Sequence, residues 1–230
     1  MHVFTWNVLH RVHGENHHEP AIARWADEPR RIAGVVARIE ELLDEGAEAA
    51  LLQEVSGDLL AALRNALDGW LVLAHQYPRL PRQKRPNDMV RDASEHLVVI
   101  ARPGAVVRRA QTFGSDAGKG FLAVETAGVL VVSTHVSFGE KRADQLAALA
   151  RLVAETSGPL IIGGDFNVER PVVEAGVGLG ALPLRAGSAK TRATDEGGVD
   201  IDHLLVRDVD LREARVLAHD ELSDHSPVAS

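Results

Sequence analysis

The chain has 230 residues, 45% hydrophobic and 25% charged, a composition that suits a globular protein with a substantial core. It has no Cys, which excludes disulfides and thiol chemistry, and no apolar run long enough to span a membrane. The formal net charge of −8 argues against a generally basic protein that coats nucleic acid. It does not argue against a nuclease, whose carboxylates gather around a cation.

Residues 3–8 alternate as a first strand that delivers Asn7, and this N-terminus has neither the basic region nor the long apolar run of a secretory signal. The expected compartment is therefore the cytoplasm, and the expected state a monomer. Residues 10–20 are polar and rich in breakers, and predict a loop. Pro29 opens a helix with Ile32, Val35, Val36, Ile39 and Leu43 along one stripe, and Gly46 stops it. A short buried strand at 49–52 delivers Gln53-Glu54-Val55. Asp58 is expected to cap a second helix that turns Leu59, Leu60, Leu63 and Leu67 inward.

Strands follow at 70–74, 96–101 and 105–109, with a loop over 79–91 that carries Pro81, Pro86 and five basic residues against one acidic. Residues 121–125 and 129–134 predict a hairpin around Ala127-Gly128. A helix spans 142–155, with Leu146, Leu149, Ala150 and Val153 at core spacing. The run Leu160-Ile161-Ile162-Gly163-Gly164 reads as a buried strand ending in Asp165-Phe166-Asn167. A Gly-rich stretch to 198 shows little periodicity, and 201–206 and 211–217 close the strands. There is no repeat or linker, so one domain over 1–230 is expected. Many short strands with about three helices predict two sheets packed face to face with helices outside.

Polar residues recur directly after these apolar runs: Asn7, Glu54, His135, and Asp165 with Asn167; Asp202 lies inside the run 199–206, and Asp224-His225 precedes the last apolar residues. Strand ends are where α/β folds place their sites. An acid and an amide two positions apart can hold and polarise a water. The same Gly-Asp-x-Asn pattern also suits a strand running into an Asx turn, so both readings stay open. His203 is expected to line the core or a sheet face.

Taken together, Trp6-Asn7, Leu52-Gln53-Glu54-Val55, Thr134-His135, Gly164-Asp165-Phe166-Asn167, Ile201-Asp202-His203 and Ser223-Asp224-His225-Ser226-Pro227-Val228 resemble the endonuclease/exonuclease/phosphatase superfamily. The motifs stand in family order and cover residues 6–228. The resemblance implies a four-layer α-β-β-α sandwich of two mixed sheets and divalent-metal-dependent hydrolysis of a phosphate ester. It implies Glu54, Asn7 and Asp224 at the metal, with oxygen ligands that suit Mg²⁺ or Mn²⁺. Asp165 would orient and deprotonate the attacking water, Asn167 would hold it, and His135 and His225 would donate to phosphoryl oxygens. Asp202 would buttress His225. The family's Thr followed by an aromatic corresponds here to Thr191-Arg192, which puts an aromatic stacking platform at that position in doubt.

Two segments are candidates for choosing the substrate. Residues 10–19 hold four His and one Arg, and Arg11 and His13 are the candidate contacts; a second metal, phosphate or leaving-group contacts and a plain solvated loop all remain open. Arg82, Lys84 and Arg85 belong to the only concentrated basic run. The leading expectation is a phosphodiesterase or nuclease acting on nucleic acid or a nucleotide-like ester. The alternatives are a phosphomonoesterase or lipid-headgroup phosphodiesterase, and a catalytically dead binding module. A basic loop beside an open groove would favour a polymer, and a closed pocket lined by 10–19 a small ester.

Overall fold

Alternation along the first two strands sets the layer order in the computed structural model, which describes residues 1–84, 88–194, 197–219 and 221–230. In β1 (Val3–Asn7), Phe4 and Trp6 face one side and Val3, Thr5 and Asn7 the other. In β2 (Ala49–Ser56), Ala50 and Leu52 share the first side, and Ala49 and Leu51 the second. The first side packs on α3 (Glu28–Asp44) and α4 (Gly57–Ala66) through Ile32, Val35, Ile39, Leu59 and Leu63. The second side meets another sheet.

The first sheet has the order β10-β11-β1-β2-β4-β3, with β3 (Leu71–Gln76), β4 (Glu95–Ala101), β10 (Arg215–Val216) and β11 (Val228–Ala229). The second has the order β5-β6-β7-β8-β9, with β5 (Val106–Phe113), β6 (Asp116–Thr126), β7 (Val129–His135), β8 (Leu160–Asp165) and β9 (Asp202–Arg207). Leu51, Leu97 and Val99 of one sheet bury against Leu122, Val131, Ile161 and Leu204 of the other. The outer face of the second sheet packs on α5 (Lys141–Glu155) and α6 (Arg170–Val177) through Leu146, Leu149, Val173 and Val177. This is the expected α-β-β-α sandwich. No helix among the described residues is long and apolar enough to cross a membrane.

Several local expectations change. Residues 10–20 are not a loop: they contain α1 (Arg11–His17) and α2 (Pro20–Arg24). His10 caps α1 by accepting from the Val12 N–H, and His18 closes it in the left-handed region, so the polar side chains act as caps where composition suggested irregular chain. Arg31, fully buried, donates to the carbonyls of Val8, Leu9 and Leu222 and fixes this segment over β1. The cap of α4 is Ser56, which accepts from Leu59 N at 3.1 Å. Asp58 instead accepts from the Arg91 N–H at 2.8 Å. Helix α6, absent from the sequence reading, needs only Val173 and Val177 to bury, too short a stripe to stand out among glycines. The Ala127-Gly128 hairpin is present, with φ of 49° and 77°, as a two-residue turn of the primed type requires.

Gly164 shows why the β8 motif is spelled with glycines. A Cβ there would lie 1.9 Å from the Thr134 carbonyl oxygen, in the strand beside it. Gly164→Ala should therefore displace β8 from β7 and destabilise the fold by about 1–3 kcal/mol or more, an overpacking penalty against rigid backbone. A thermal unfolding midpoint equal to the wild type would refute that packing.

Candidate active site

Strand register brings the polar strand ends together. His135 pairs with Asp165 across the parallel β7–β8 ladder, and Asp165 with Asp202 across the antiparallel β8–β9 ladder. On the facing sheet, Asn7 pairs with Gln53 in the parallel β1–β2 ladder. Glu54, next in β2, sits where the β2–β4 register shifts, with φ at 58°. A bulge re-aims one side chain, and a left-handed Glu is strained backbone of the kind found at functional sites. Asn7 then joins the sheets, its Nδ2 donating to Glu54 Oε1 at 3.2 Å and to Asp165 Oδ2 at 3.1 Å. Its Oδ1 accepts from the Leu9 N–H at 3.1 Å, so in this arrangement Asn7 orients the two acids.

Asp165 also accepts the Asn167 N–H at 2.9 Å, and Asn167 has φ at 52°. The Asx turn and the acid–amide pair are thus one structure. Asn167 lies beyond the strand, which stops at Asp165. Asn167 is instead fixed by donating to the Val136 carbonyl at 2.8 Å. His135 Nε2 stands 3.3 Å from Asp165 Oδ2, and Lys119 of β6 donates to His135 Nδ1 at 2.9 Å.

His225 comes from the loop before β11, where Trp6 Nε1 donates to its carbonyl at 2.9 Å. Its Nδ1 meets Asp202 Oδ2 at 2.9 Å, and its Nε2 lies 3.8 Å from both Asp165 Oδ2 and Asp224 Oδ2. Thr191 Oγ1 accepts the N–H groups of Ile201 and Asp202 and so places that carboxylate. Arg192 takes the neighbouring position: Nε donates to Asp224 Oδ2 at 3.0 Å, and Nη2 to Glu19 Oε1 at 3.1 Å.

The electrostatics follow from this crowding. Burial opposes ionisation of Glu54, yet the charges of His13, His135 and Lys119 outweigh it and hold its carboxyl well below the usual range. Asp165 is held low in the same way, against burial, by His225, His135 and Lys119. Burial alone would lower the pKa of His225, but Asp202, Asp165 and Asp224 push it up to about 10. Burial raises the pKa of Asp202 despite its bond to His225. Both shifts mean that the His225–Asp202 pair keeps its proton to high pH.

A pKa raised above the unfolded value of 6.5 gives stability that is full below about pH 6.5 and lost as pH rises through about 10. In chelator-treated protein, the unfolding temperature should therefore fall across that window, and less steeply in His225→Gln. Identical pH profiles for the two proteins would contradict it.

The residues converge on a cavity of about 330 Å³ lined by Glu54, His135, Asp165, Asn167, Asp224 and His225, with His13, His17, Glu19, Lys119, Phe138 and Arg192 around them. A hollow of about 420 Å³ beside β10 and β11 is larger but contains none of these groups. Asn7 and Asp202 stand directly behind the lining. Of the substrate candidates, His13 reaches the cavity. Arg11 does not: it pairs with Glu15 and Glu28 and donates to the Trp25 carbonyl. Arg82 and Lys84 lie beside α1, where the Arg82 carbonyl and the Lys84 N–H bond to Asn16, and neither lines the cavity. Arg85 falls outside the described residues. His203 is buried against Phe166, with Nε2 2.9 Å from the Val168 carbonyl, a structural residue as expected.

The sequence reading missed Lys119, Glu19, Glu95 and Phe138. Lys119 sits in strand β6 upstream of its apolar part, and Glu95 directly precedes the apolar run of β4; a wider strand boundary would have exposed both.

Carboxylate oxygens dominate the donors. Glu19, Glu54, Asp165 and Asp224 face one cavity without any sulfur, a set that fits a hard divalent cation. Asp165, Asp202 and His225 also bring one ligand atom each within 4.8 Å of one another. The short His225–Asp202 bond already engages two members of that group.

Fold and site together define a two-sheet α/β sandwich with a carboxylate-rich cavity at its strand ends. The sequence profile of the Endonuclease/Exonuclease/phosphatase family matches residues 4–225, and the chain belongs to that family. No curated protein sequence matches it. Among solved structures it resembles a mannosyl-6-phosphatase from Bacteroides thetaiotaomicron, at 17% identity and a TM-score of 0.67, covering 100% of this chain and 98% of that one. It also resembles D. rerio TDP2 complexed with single-strand DNA product, at 13% identity and a TM-score of 0.68, covering 100% and 97%. ANGEL2, a 2′,3′-cyclic phosphatase, matches at 13% identity and a TM-score of 0.69, covering 99% and 94%. These likenesses concern the fold.

Proposed function

We propose that the protein is a divalent-metal-dependent phosphoesterase that hydrolyses a nucleotide-like ester, either a small molecule or a strand end, by in-line attack of water. The observation that carries this reading is Asn7, whose one amide nitrogen ties Glu54 of one sheet to Asp165 of the other inside a single cavity. Glu54 and Asp224 would hold Mg²⁺ or Mn²⁺, with Asn7 fixing Glu54; the cation supplies Lewis acidity at the phosphoryl group. Asp165 takes the proton of the attacking water, and Asn167 and His135 hold the reacting oxygens. His225, kept charged by Asp202, donates to a non-bridging oxygen as charge builds there.

Substrate size follows from the walls. Helix α1 contributes His13 and His17 to the cavity, and Glu19 joins Arg192 across its rim. A pocket closed on that side favours a small or terminal ester over an internal position in a long strand. Phe138, 64% exposed at the cavity mouth, offers a ring face to a base and favours a nucleotide-like group over a sugar phosphate or lipid headgroup. The three similar structures are a mannosyl-6-phosphatase, a protein bound to a single-strand DNA product and a 2′,3′-cyclic phosphatase, so the scaffold itself does not choose.

The test is a panel of dinucleotides, DNA and RNA oligomers, cyclic-phosphate ends, inositol phosphates, sugar phosphates and sphingomyelin, each with Mg²⁺ and with chelator. Chelator-sensitive hydrolysis of dinucleotides or strand ends supports the reading; activity confined to inositol phosphates, sugar phosphates or sphingomyelin refutes it. His225→Ala should lower kcat with KM nearly unchanged, because its donor matters most at the transition state. A change in KM alone would show that His225 only binds.

A further inference from the structure

A second histidine–carboxylate pair reaches the same cavity through His13 of α1, with Glu95 of β4 behind it. His13 Nε2 lies 3.0 Å from Glu95 Oε2, and the side chains are 24% and 1% exposed. Glu95 starts β4, pairing with Ser56 two residues beyond Glu54 in β2. Its other oxygen, Oε1, is buried with no hydrogen-bond partner among the described residues. An ionised carboxylate kept wholly inside a protein with one oxygen unpaired is a costly way merely to anchor a surface helix. The arrangement repeats that of His225 and Asp202, in which a buried acid fixes one ring nitrogen of a cavity-lining histidine.

Position separates the two pairs. Asp165 and Asn167, which hold the attacking water in the function proposed above, belong to the second sheet and the turn that follows it. In-line displacement puts the departing oxygen on the far side of phosphorus from that water. His13 reaches the same cavity from α1, an element that carries neither Asp165 nor Asn167. His135, the other candidate donor, is already engaged by Lys119 and by Asp165. With Nε2 of His13 on Glu95, Nδ1 is the nitrogen left to donate.

We propose that His13, oriented by Glu95, is the acid that protonates the leaving oxygen. The inference rests on the phosphoesterase reading. Water attacks phosphorus and gives a proton to Asp165. The bond from phosphorus to the ester oxygen breaks with its electron pair on that oxygen, which takes the proton from His13. Asp165 then releases a proton to solvent and His13 regains one. The groups that face His13 are Glu95 from β4, Glu54 from β2, Lys119 from β6 and the ring of His10, 5.5 Å away edge to face. Burial favours the neutral ring, and Glu54 and Glu95 act against it and raise the pKa of His13.

An acid matters only to a poor leaving group. Thymidine 5′-p-nitrophenyl phosphate expels a stable phenolate, whereas a thymidine dinucleotide must expel an alkoxide. His13→Ala should lower kcat on the dinucleotide by about 10²–10⁴-fold, the usual range for general acid catalysis, and on the p-nitrophenyl ester by less than about tenfold. Glu95→Gln should show the same asymmetry more weakly, and the double variant should be no worse than His13→Ala alone. His13→Asn, which can still bond Glu95 but carries no acid, should behave as His13→Ala and guards against simple loss of α1. The alkaline limb of the dinucleotide pH profile should vanish in both His13 variants. Equal losses on the two esters, or no loss on the dinucleotide, would overturn the role of His13 and leave the phosphoesterase reading standing. A wild type that hydrolyses neither ester with Mg²⁺ would overturn both.

Discussion

Glu54→Gln should lose turnover at every attainable Mg²⁺ concentration while the protein folds as before. Burying this carboxylate is unfavourable, and His13, His135 and Lys119 keep it ionised all the same. A group held charged at that expense, on a left-handed residue in a β-bulge, is poised to meet a cation. Gln keeps the shape and can still accept from the His10 N–H that bonds Glu54 Oε2 at 3.0 Å. What disappears is the full negative charge that would hold the metal. Even partners one step removed from a metal cost 10–100-fold in affinity or activity when changed, so a direct ligand should cost at least about 100-fold. Because Glu54 packs little of the core, the unfolding temperature should move by no more than a few degrees, about 1 kcal/mol at this chain length. Calorimetric Mg²⁺ titration of both proteins separates the cases. Turnover like the wild type at saturating Mg²⁺ would remove Glu54 from the metal.

The sandwich was legible in the sequence because period-two alternation and short apolar runs survive in nearly every strand, and each run announces its polar end. Asn7, Glu54, His135, Asp165 and Asn167 could be picked out for that reason, and Asp202, Asp224 and His225 from the motifs they share with the family; the fold brings them all to one end of the sheets. Their partners were harder to find. Arg192 and Glu19 meet across 173 residues, and His13 and Glu95 across 82, and no local pattern marks such pairs. Helix α1 was hidden because its ends are capped by His10 and His18, residues that composition alone assigns to a loop. Basic residues misled in the other direction. Arg11 looked like a substrate contact, yet it satisfies Glu15, Glu28 and a carbonyl, a structural use of guanidinium that charge counting cannot distinguish from binding.

Asp165→Asn and Asn167→Ala should fail differently, and the difference tests whether this pair works on one water. Asp165 sits at the end of β8 with its oxygens held by Asn7 Nδ2 and the Asn167 N–H, and with His225 and His135 keeping it ionised. Asn in its place preserves the volume and can still accept from the Asn167 N–H, but cannot take a proton. The loss should fall on kcat, on the order of 10²–10⁴-fold as for a missing general base, with Mg²⁺ affinity little changed. Asn167→Ala removes a donor already tethered to the Val136 carbonyl and leaves the base intact, so it should raise the barrier by about 2.7–4 kcal/mol at most, as for a lost oxyanion-type donor. It should also lower stability by about 1 kcal/mol, because Ala tolerates a φ of 52° less well than Asn. Two groups acting on one nucleophile cannot each be lost in full, so the double variant should be little worse than Asp165→Asn alone. Rescue of Asp165→Asn by high Mg²⁺ would instead make Asp165 a ligand. Losses that multiply cleanly would mean that Asp165 and Asn167, though joined by a 2.9 Å hydrogen bond, serve separate steps.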